Sequence, residues 1–435
     1  MDRTFAVRTL GLYLPAAAAF LLAYIAPKQR RLFAAALVGF LWTLPALLAL
    51  QLVNLRLGWW TFHAEGGLLR EMPVDLYLGW ALLWGVVPVL ALRKTNLAQA
   101  IALFFCIDLL LMPACVPVIE LHGHWLMGEA AALWAVLLPA QIFARWTLLD
   151  KHVKARALLQ VITAGGIFLF VIPEVIFALR PGRGWHAVAA ASGTTQCVEL
   201  QIVFMLGAIG VSAVQEFAVR GEGTPIPYDP PRRLVASGLY RYVANPMQIS
   251  CALVLVAWGG VLRNPWVAAA GPMCFVYSLS VAIWDENDDM RTRFGESWNE
   301  YTKNVRPWIF RWKAWNPSNH PRARLYIAES CGPCSEVRRW FESKGATALE
   351  IVAAEDHPTH DLERVTYDPM DGSGVDEGVR ALARGLEHIH LGWGYAGAVL
   401  RLPGISHFVQ IVIDGSGFGP RRVMRRGCGE VVCRR

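Results

Sequence analysis

Charge is scarce in this sequence: Asp, Glu, Lys and Arg make up 17% of its 435 residues, against 55% hydrophobic ones. Soluble domains carry about a quarter charged residues, so a single soluble enzyme is excluded, and a disordered chain even more firmly. The nine cysteines form no even, closely spaced framework, which excludes a secreted disulfide-stapled module. Cys106, Cys115, Cys197, Cys251 and Cys274 fall in or near apolar runs and read as small buried hydrophobes. No small-residue cleavage site follows the first apolar run, which lies between Arg8 and Lys28, so that run reads as a retained membrane helix.

What charge there is divides unevenly. Residues 318–435 hold fifteen basic and fifteen acidic side chains, so the net charge of +7 comes entirely from residues 1–317. Basic loops beside lipid headgroups are expected, and a nucleic-acid surface is not. Apolar segments of bilayer-spanning length occur near 9–27, 32–53, 73–92, 97–119, 125–147, 157–178, 198–219, 246–262 and 264–284, about nine transmembrane helices in all. With the N-terminus outside, the inner loops hold thirteen Lys and Arg, among them Lys28, Arg30, Arg31, Arg145, Arg156, Arg232 and Arg233. The outer loops hold five, namely Arg56, Arg70, Arg180, Arg183 and Arg263. That bias predicts an integral membrane protein with a cytoplasmic C-terminal tail, although Arg3 and Arg8 run against it.

Spans one to six offer little chemistry. Glu71, Asp75, Asp108 and Glu174 lie in or near apolar stretches, where an ionisable group is costly and marks a candidate site. Glu120, His122, His124 and Glu129 cluster near one membrane surface, but no pair has the i, i+4 spacing of a zinc-binding helix, and no metal is expected.

The informative stretch is 221–310. Four prolines fall between Pro225 and Pro231, so this segment is stiff and non-helical. Gly238-Leu239-Tyr240-Arg241-Tyr242 follows, then Asn245-Pro246, where Asn suits a helix cap and Pro the first helical position. The eighth span should start there, with free N–H groups beside Arg241 suited to a carboxylate or phosphate. After span nine the chain becomes an acidic, then basic and aromatic cytoplasmic helix, from Asp285 and Glu286 to Arg291, Trp298 and Tyr301.

These residues resemble the isoprenylcysteine carboxyl methyltransferase and phospholipid methyltransferase superfamily of membrane enzymes. Gly238, Tyr240, Arg241, Asn245, Pro246 and Met247 match its first motif; Glu286, Phe294, Gly295, Trp298, Tyr301, Val305 and Trp308 match its second. The resemblance covers about residues 196–315 and departs at Ala244, Gln248 and Asn287, where the family has Arg, Tyr and a second acid. It implies S-adenosylmethionine as cofactor, held by Tyr240, Arg241, Asn245, Pro246, Met247, Gln248 and Glu286, with Trp298 or Tyr301 as a wall for the adenine. Arg241, Glu286 and Asn287 are the implied catalytic residues, and a lipid-like or prenylated molecule at the membrane is the implied methyl acceptor.

The tail reads as strand, then Cys331-Gly332-Pro333-Cys334 opening an amphipathic helix ended by Gly345, then a second strand. This order looks like a thioredoxin-type domain, and the later stretches around Gly372–Gly374 and Trp393–Ser406 are similar to DCC-type thiol-disulfide oxidoreductase domains. Cys331, at a helix N-terminus, is the expected attacking thiol and Cys334 the resolving one, serving a cytoplasmic redox partner. Pro358, Pro369 and Pro403 are the candidates for the cis-proline that thioredoxin-like sites carry. Cys428 and Cys433 leave open a four-thiolate zinc site or a thiol relay.

The expected architecture is therefore a multi-span α-helical membrane protein with a C-terminal α/β thioredoxin-like domain. Its parts are an N-terminal membrane region (1–195), a methyltransferase-type core (196–317) and the tail domain (318–435). The alternatives are a membrane-anchored thiol-disulfide oxidoreductase with a degenerate methyltransferase core, and a sterol-reductase-like enzyme using NADPH.

Overall fold

A computed structural model describes residues 3–180, 182–226, 228–277, 283–317 and 321–426, and of 275, 277 and 283–288 the backbone alone. The chain divides into two compact units. One comprises Met1–Gln196, Glu222–Pro231 and Leu255–Ala270; the other comprises Cys197–Gly221, Arg232–Val254 and Gly271–Arg435.

Six of the apolar segments form helices in the first unit: α1 (Arg3–Ile25), α2 (Arg30–Leu57), α3 (Val74–Ala91), α4 (Leu97–Ala114), α5 (Trp125–Leu148) and α6 (Val153–Leu179). Helix α2 is central, half of it buried, because glycines let backbones approach. A Cβ on Gly39 of α2 would collide with the Gly85 carbonyl of α3, and one on Gly79 of α3 with the Gly11 carbonyl of α1. Prolines interrupt three of these helices in one way. A wide π turn ends at Val86, Leu137 and Val171, each two residues before a proline (Pro88, Pro139 and Pro173) that lacks the N–H needed to continue the ladder. Two short ribbons, β1 (Trp60–Phe62) with β4 (Ile119–Leu121) and β2 (Leu68–Leu69) with β3 (Met72–Pro73), close the loops between helices.

Most ionisable groups flagged in this region find partners, which removes their desolvation cost. Arg8 clasps Asp75, Arg70 clasps Glu174 through two contacts of 2.6 Å, and Trp185 also donates to Glu174. Arg156 is wholly buried, donating to Asp150 at 2.9 Å and to Asp229 at 2.7 Å, so it faces no lipid phosphate. Asp229 also accepts from Thr224, and this pins the proline-rich segment, which is non-helical as expected. Glu120 pairs with His63, while Glu129 turns inward toward Asp108; among the described residues no three His, Cys, Asp or Glu converge as metal ligands.

The second unit contains α7 (Gly193–Val219), the seventh helix of spanning length. The expected spans eight and nine are shorter: α8 (Pro246–Val261) has 16 residues and α9 (Pro265–Tyr277) has 13. At 1.5 Å per residue these rise about 24 and 20 Å, short of a bilayer core of about 30 Å. Among the described residues seven helices are long and apolar enough to cross a membrane, where about nine spans were expected; 278–282 of the ninth segment lie outside the described residues. Asn264 caps the turn between α8 and α9 by accepting the N–H groups of Trp266 and Val267. In the tail, α14 (Leu391–Leu400) and the apolar stretch Pro403–Phe418, which begins with α15 (Pro403–Ile413), meet at a bend of 85° and are together of spanning length only if taken as one broken span. Pro403 fits the first turn after the bend.

Between these lie α10 (Ile283–Phe294) and α11 (Glu296–Asn304), then a four-stranded sheet. Its strands β5 (Ala323–Ile327), β6 (Leu349–Ala353), β7 (Thr366–Asp368) and β8 (Asp376–Glu377) lie in the order β6-β5-β7-β8. β5 and β6 are parallel, and the other pairs antiparallel. Helix α12 (Gly332–Ser343) connects β5 to β6, and α13 (Val379–Leu386) follows β8. Leu325, Ile327, Phe341, Tyr367 and Ala381 form the core between sheet and helices. Among the described residues every peptide bond is trans, so Pro358, Pro369 and Pro403 supply no cis-proline.

Candidate functional site

The two motifs, some sixty residues apart, interlock in the second unit. The Ala244 N–H donates to the Arg306 carbonyl, Asn245 to Pro307, Arg311 to Tyr242 and Trp315 to Arg241, so the 241–245 segment is clamped along its length. Tyr301 is buried and its hydroxyl donates to the Tyr240 carbonyl at 2.9 Å. The motif glycines have a backbone reason to be there: Gly238 (φ 61°) and Gly295 (φ 50°) both adopt left-handed conformations that side chains resist. Ala244, where the resemblance implies arginine, is half-buried and packs against an aromatic cluster containing Trp298, Tyr301 and Trp315.

Pro246 opens α8 as expected, and Met247 packs against Tyr240. Trp298 and Tyr301 belong to the core rather than to a cavity wall: both are buried, and Tyr301 spends its hydroxyl on the backbone. Of Glu286 and Asn287 only the backbone is described, within α10, so their expected roles lie outside the described side chains. Cys428 and Cys433 also lie outside the described residues. Among the described residues, Arg241 Nε, Gln248 Oε1 and Trp298 Nε1 are buried without a hydrogen-bond partner.

Arg241 Nη1 donates to Asn316, and its guanidinium opens into a cleft of about 460 Å³. Arg220, Arg232, Arg233 and Arg384 line the same cleft, with Glu300 and Asp371 as the acids. Phe294, Trp315 and Tyr367 supply its flat apolar surfaces. His388 is buried at its base, with Nδ1 2.8 Å from the Thr347 carbonyl and Nε2 accepting from the Tyr367 hydroxyl at 3.0 Å. Burial, then the charge of Arg241, pushes the His388 pKa well below its ordinary value, so the ring is neutral.

Behind the cleft lies a buried ion network that the sequence reading did not single out. Glu216 of α7 accepts from Arg384 and from Arg401, each at 2.7 Å, and from the Ser237 hydroxyl. Glu387 closes the ring, at 2.6 Å from Arg401 and 3.3 Å from Arg384. Asp376 adds contacts to Arg384 and Arg220. All four ring members are at most 3% exposed. Glu216 stands at the end of an apolar run, where the cost of an ionisable group could have flagged it.

Cys331 caps α12, and the two cysteines pair as a disulfide with Cα atoms 5.2 Å apart. The loop before them is tied down by buried Glu355, which accepts the N–H groups of Glu329 and Ser330 at 2.9–3.1 Å. Burial opposes ionisation of Glu355, but these N–H groups outweigh it and bring its pKa to about 2.

Comparison with protein-family models, with curated proteins and with solved structures finds no match.

Proposed function

We propose that the chain is an S-adenosylmethionine-dependent methyltransferase whose acceptor is a lipid-like or prenylated molecule at the membrane. The interlocking of 240–245 with 301–315 carries this reading, since it brings both halves of the resemblance into one framework. The residues fit the cofactor: Arg241 Nε and Gln248 Oε1 are buried polar atoms short of partners among the described residues, as a site for a polar ligand requires. Arg241 would hold the carboxylate, and Gln248 with Asn245 the uncharged polar groups. When bound, S-adenosylmethionine supplies an electrophilic methyl group, released as the C–S electron pair returns to sulfur. The chain's own part is to position and to exclude water, which the Tyr301 clamp and the aromatic cluster favour. Helix α7, of spanning length and in the same unit as this framework, suits an amphipathic acceptor that arrives from a bilayer.

Calorimetric titration of the purified full chain with S-adenosylhomocysteine tests the reading. Binding is expected, and Gln248→Ala should weaken it by about 1–2 kcal/mol through loss of one buried hydrogen bond. Binding of NADPH in its place would favour the sterol-reductase-like alternative. Binding of neither would leave Ala244, Gln248 and Asn287 as marks of a degenerate core.

A second activity rests on the tail. We infer a thioredoxin-type domain there, a reading supported by the β-α-β then β-β-α order, the sheet arrangement β6-β5-β7-β8 and the Cys-x-x-Cys capping the first helix. We infer a thiol-disulfide exchange site there, with Cys331 as attacking thiolate, facing the cytoplasm if the loop charges set the orientation. An unchanged Cys331–Cys334 pair after incubation with excess dithiol would refute it.

A further inference from the structure

We propose that the first unit contains a proton-binding site: Asp108 of α4 and Glu129 of α5 hold one proton between them, hydrated by water in the cavity that they line together with Trp84 of α3. The two carboxyls hydrogen-bond to each other. An ionised carboxylate can only accept, so a hydrogen bond between two such groups requires a proton on one of them. Trp80 Nε1 donates to Asp108 Oδ1 at 2.7 Å, which makes Asp108 the acceptor and Glu129 the member that carries the proton.

No cation stands in the proton's place. Asp108 and Glu129 are 1% and 2% exposed, and among the described residues neither meets a Lys, Arg or His. Cations at this end of the unit are spent elsewhere: Arg8 on Asp75, Arg70 on Glu174 and His63 on Glu120. The Cys115 thiol is a further titratable group near Asp108, and it brings no positive charge. Two bare carboxylates so placed would repel each other with little water to screen them.

The cavity measures about 40 Å³, whereas a buried water needs only about 10–15 Å³. Two residues of its wall each have a buried polar atom without a partner among the described residues, the acceptor Glu129 Oε2 and the donor Trp84 Nε1. One water can donate to the first and accept from the second, and this pairing of an orphan acceptor with an orphan donor points to an occupant. The rest of the wall is apolar apart from Gln51, whose amide is engaged with the Arg70 carbonyl and with Asn54. A metal ion of the calcium or magnesium kind wants about six oxygen ligands, and among the described residues no such set converges. Gln51, Trp80 and Asp108 each stand six residues from the ribbon end of their helices (Leu57, Val74 and Ala114), about 9 Å at 1.5 Å per residue. In a bilayer that is a depth at which ionisable pairs mark proton or ion pathways.

The proposal rests on neither the methyl-transfer nor the thiol reading. Infrared difference spectroscopy of the full chain in nanodiscs at neutral pH, parent against Glu129→Gln, tests it. The parent should show the C=O band of a protonated carboxyl, shifted by heavy water, and Glu129→Gln should lose that band. Asp108→Asn should keep the band and displace it, because Glu129 stays a buried acid but changes its acceptor. Gel filtration and tryptophan fluorescence establish that both variants are folded. A parent without the band, as a bound cation in the proton's place would produce, overturns the proposal. A band of full intensity in Glu129→Gln overturns it equally.

Discussion

Replacing Glu216 by Ala should be among the most damaging single changes available to the second unit. The carboxylate is fully buried and meets two guanidiniums at 2.7 Å as well as the Ser237 hydroxyl. Its removal leaves three guanidiniums, those of Arg220, Arg384 and Arg401, with only Asp376 and Glu387, so one positive charge stays uncompensated in a buried setting. Breaking a buried pair in this way costs about 3–5 kcal/mol, and two simultaneous contacts place the expected loss in the upper part of that range. Glu216→Gln keeps the shape and one acceptor, and should cost less, about 2–3 kcal/mol. The pair Glu216→Leu with Arg401→Met removes one charge of each sign and should lose less than the two single changes summed, with a coupling of about 1–3 kcal/mol. Denaturant titration of the detergent-solubilised full chain, followed by tryptophan fluorescence, supplies the double-mutant cycle. The loss should persist at about 1 M salt, which screens exposed pairs but not buried ones. A Glu216→Ala variant within about 1 kcal/mol of the parent, or strict additivity in the cycle, would refute the ring as a structural element.

Other outcomes are expected. Tyr301→Phe removes the clamp on the Tyr240 carbonyl and should cost about 1 kcal/mol of stability while weakening cofactor binding; unchanged affinity would detach the clamp from the site. Glu355 has a pKa depressed to about 2, so its hold on the Glu329–Ser330 loop is fully present above the unfolded value of 4.5 and lost as pH falls toward 2. Amide exchange at Ser330 should quicken across that window, and Glu355→Gln should flatten the profile. In the reduced protein Cys331 should alkylate before Cys334, with an apparent pKa below about 8.5; equal rates would remove the redox role. A reporter fused after Arg435 should be active only as a cytoplasmic enzyme, as the loop-charge bias requires.

The sequence reveals elements better than it reveals partners. Apolar length locates α1 to α7 because the bilayer imposes a minimum on each span independently of the others. The start of α8 at Pro246 and of α12 at the Cys331 cap follow from local capping chemistry, and are equally legible. What fails is whatever depends on tertiary context. Trp298 and Tyr301 look like a ligand wall by residue type, but the aromatic cluster claims them. The apolar stretch from Leu391 to Leu400 was overshadowed by the charge of its neighbours, although the helix pair passes the same length test as the others. The arginine cleft draws on residues from 220 to 388, a convergence that no local window contains.

Helix α14 is fastened to α7: Tyr395 donates to the Met205 carbonyl, and Gln215 to that of Arg401. During synthesis α7 leaves the ribosome long before these partners exist. As a candidate span, α7 would enter a membrane with Glu216 uncompensated, before Arg384 and Arg401 are translated. The late helices would then complete an assembly begun much earlier, and the insertion machinery would have to tolerate a half-finished intermediate bearing a stranded carboxylate. Nascent chains that stop short of Arg384 should be conspicuous to membrane quality-control proteases, and the tail released by itself would expose the apolar face that α7 normally covers.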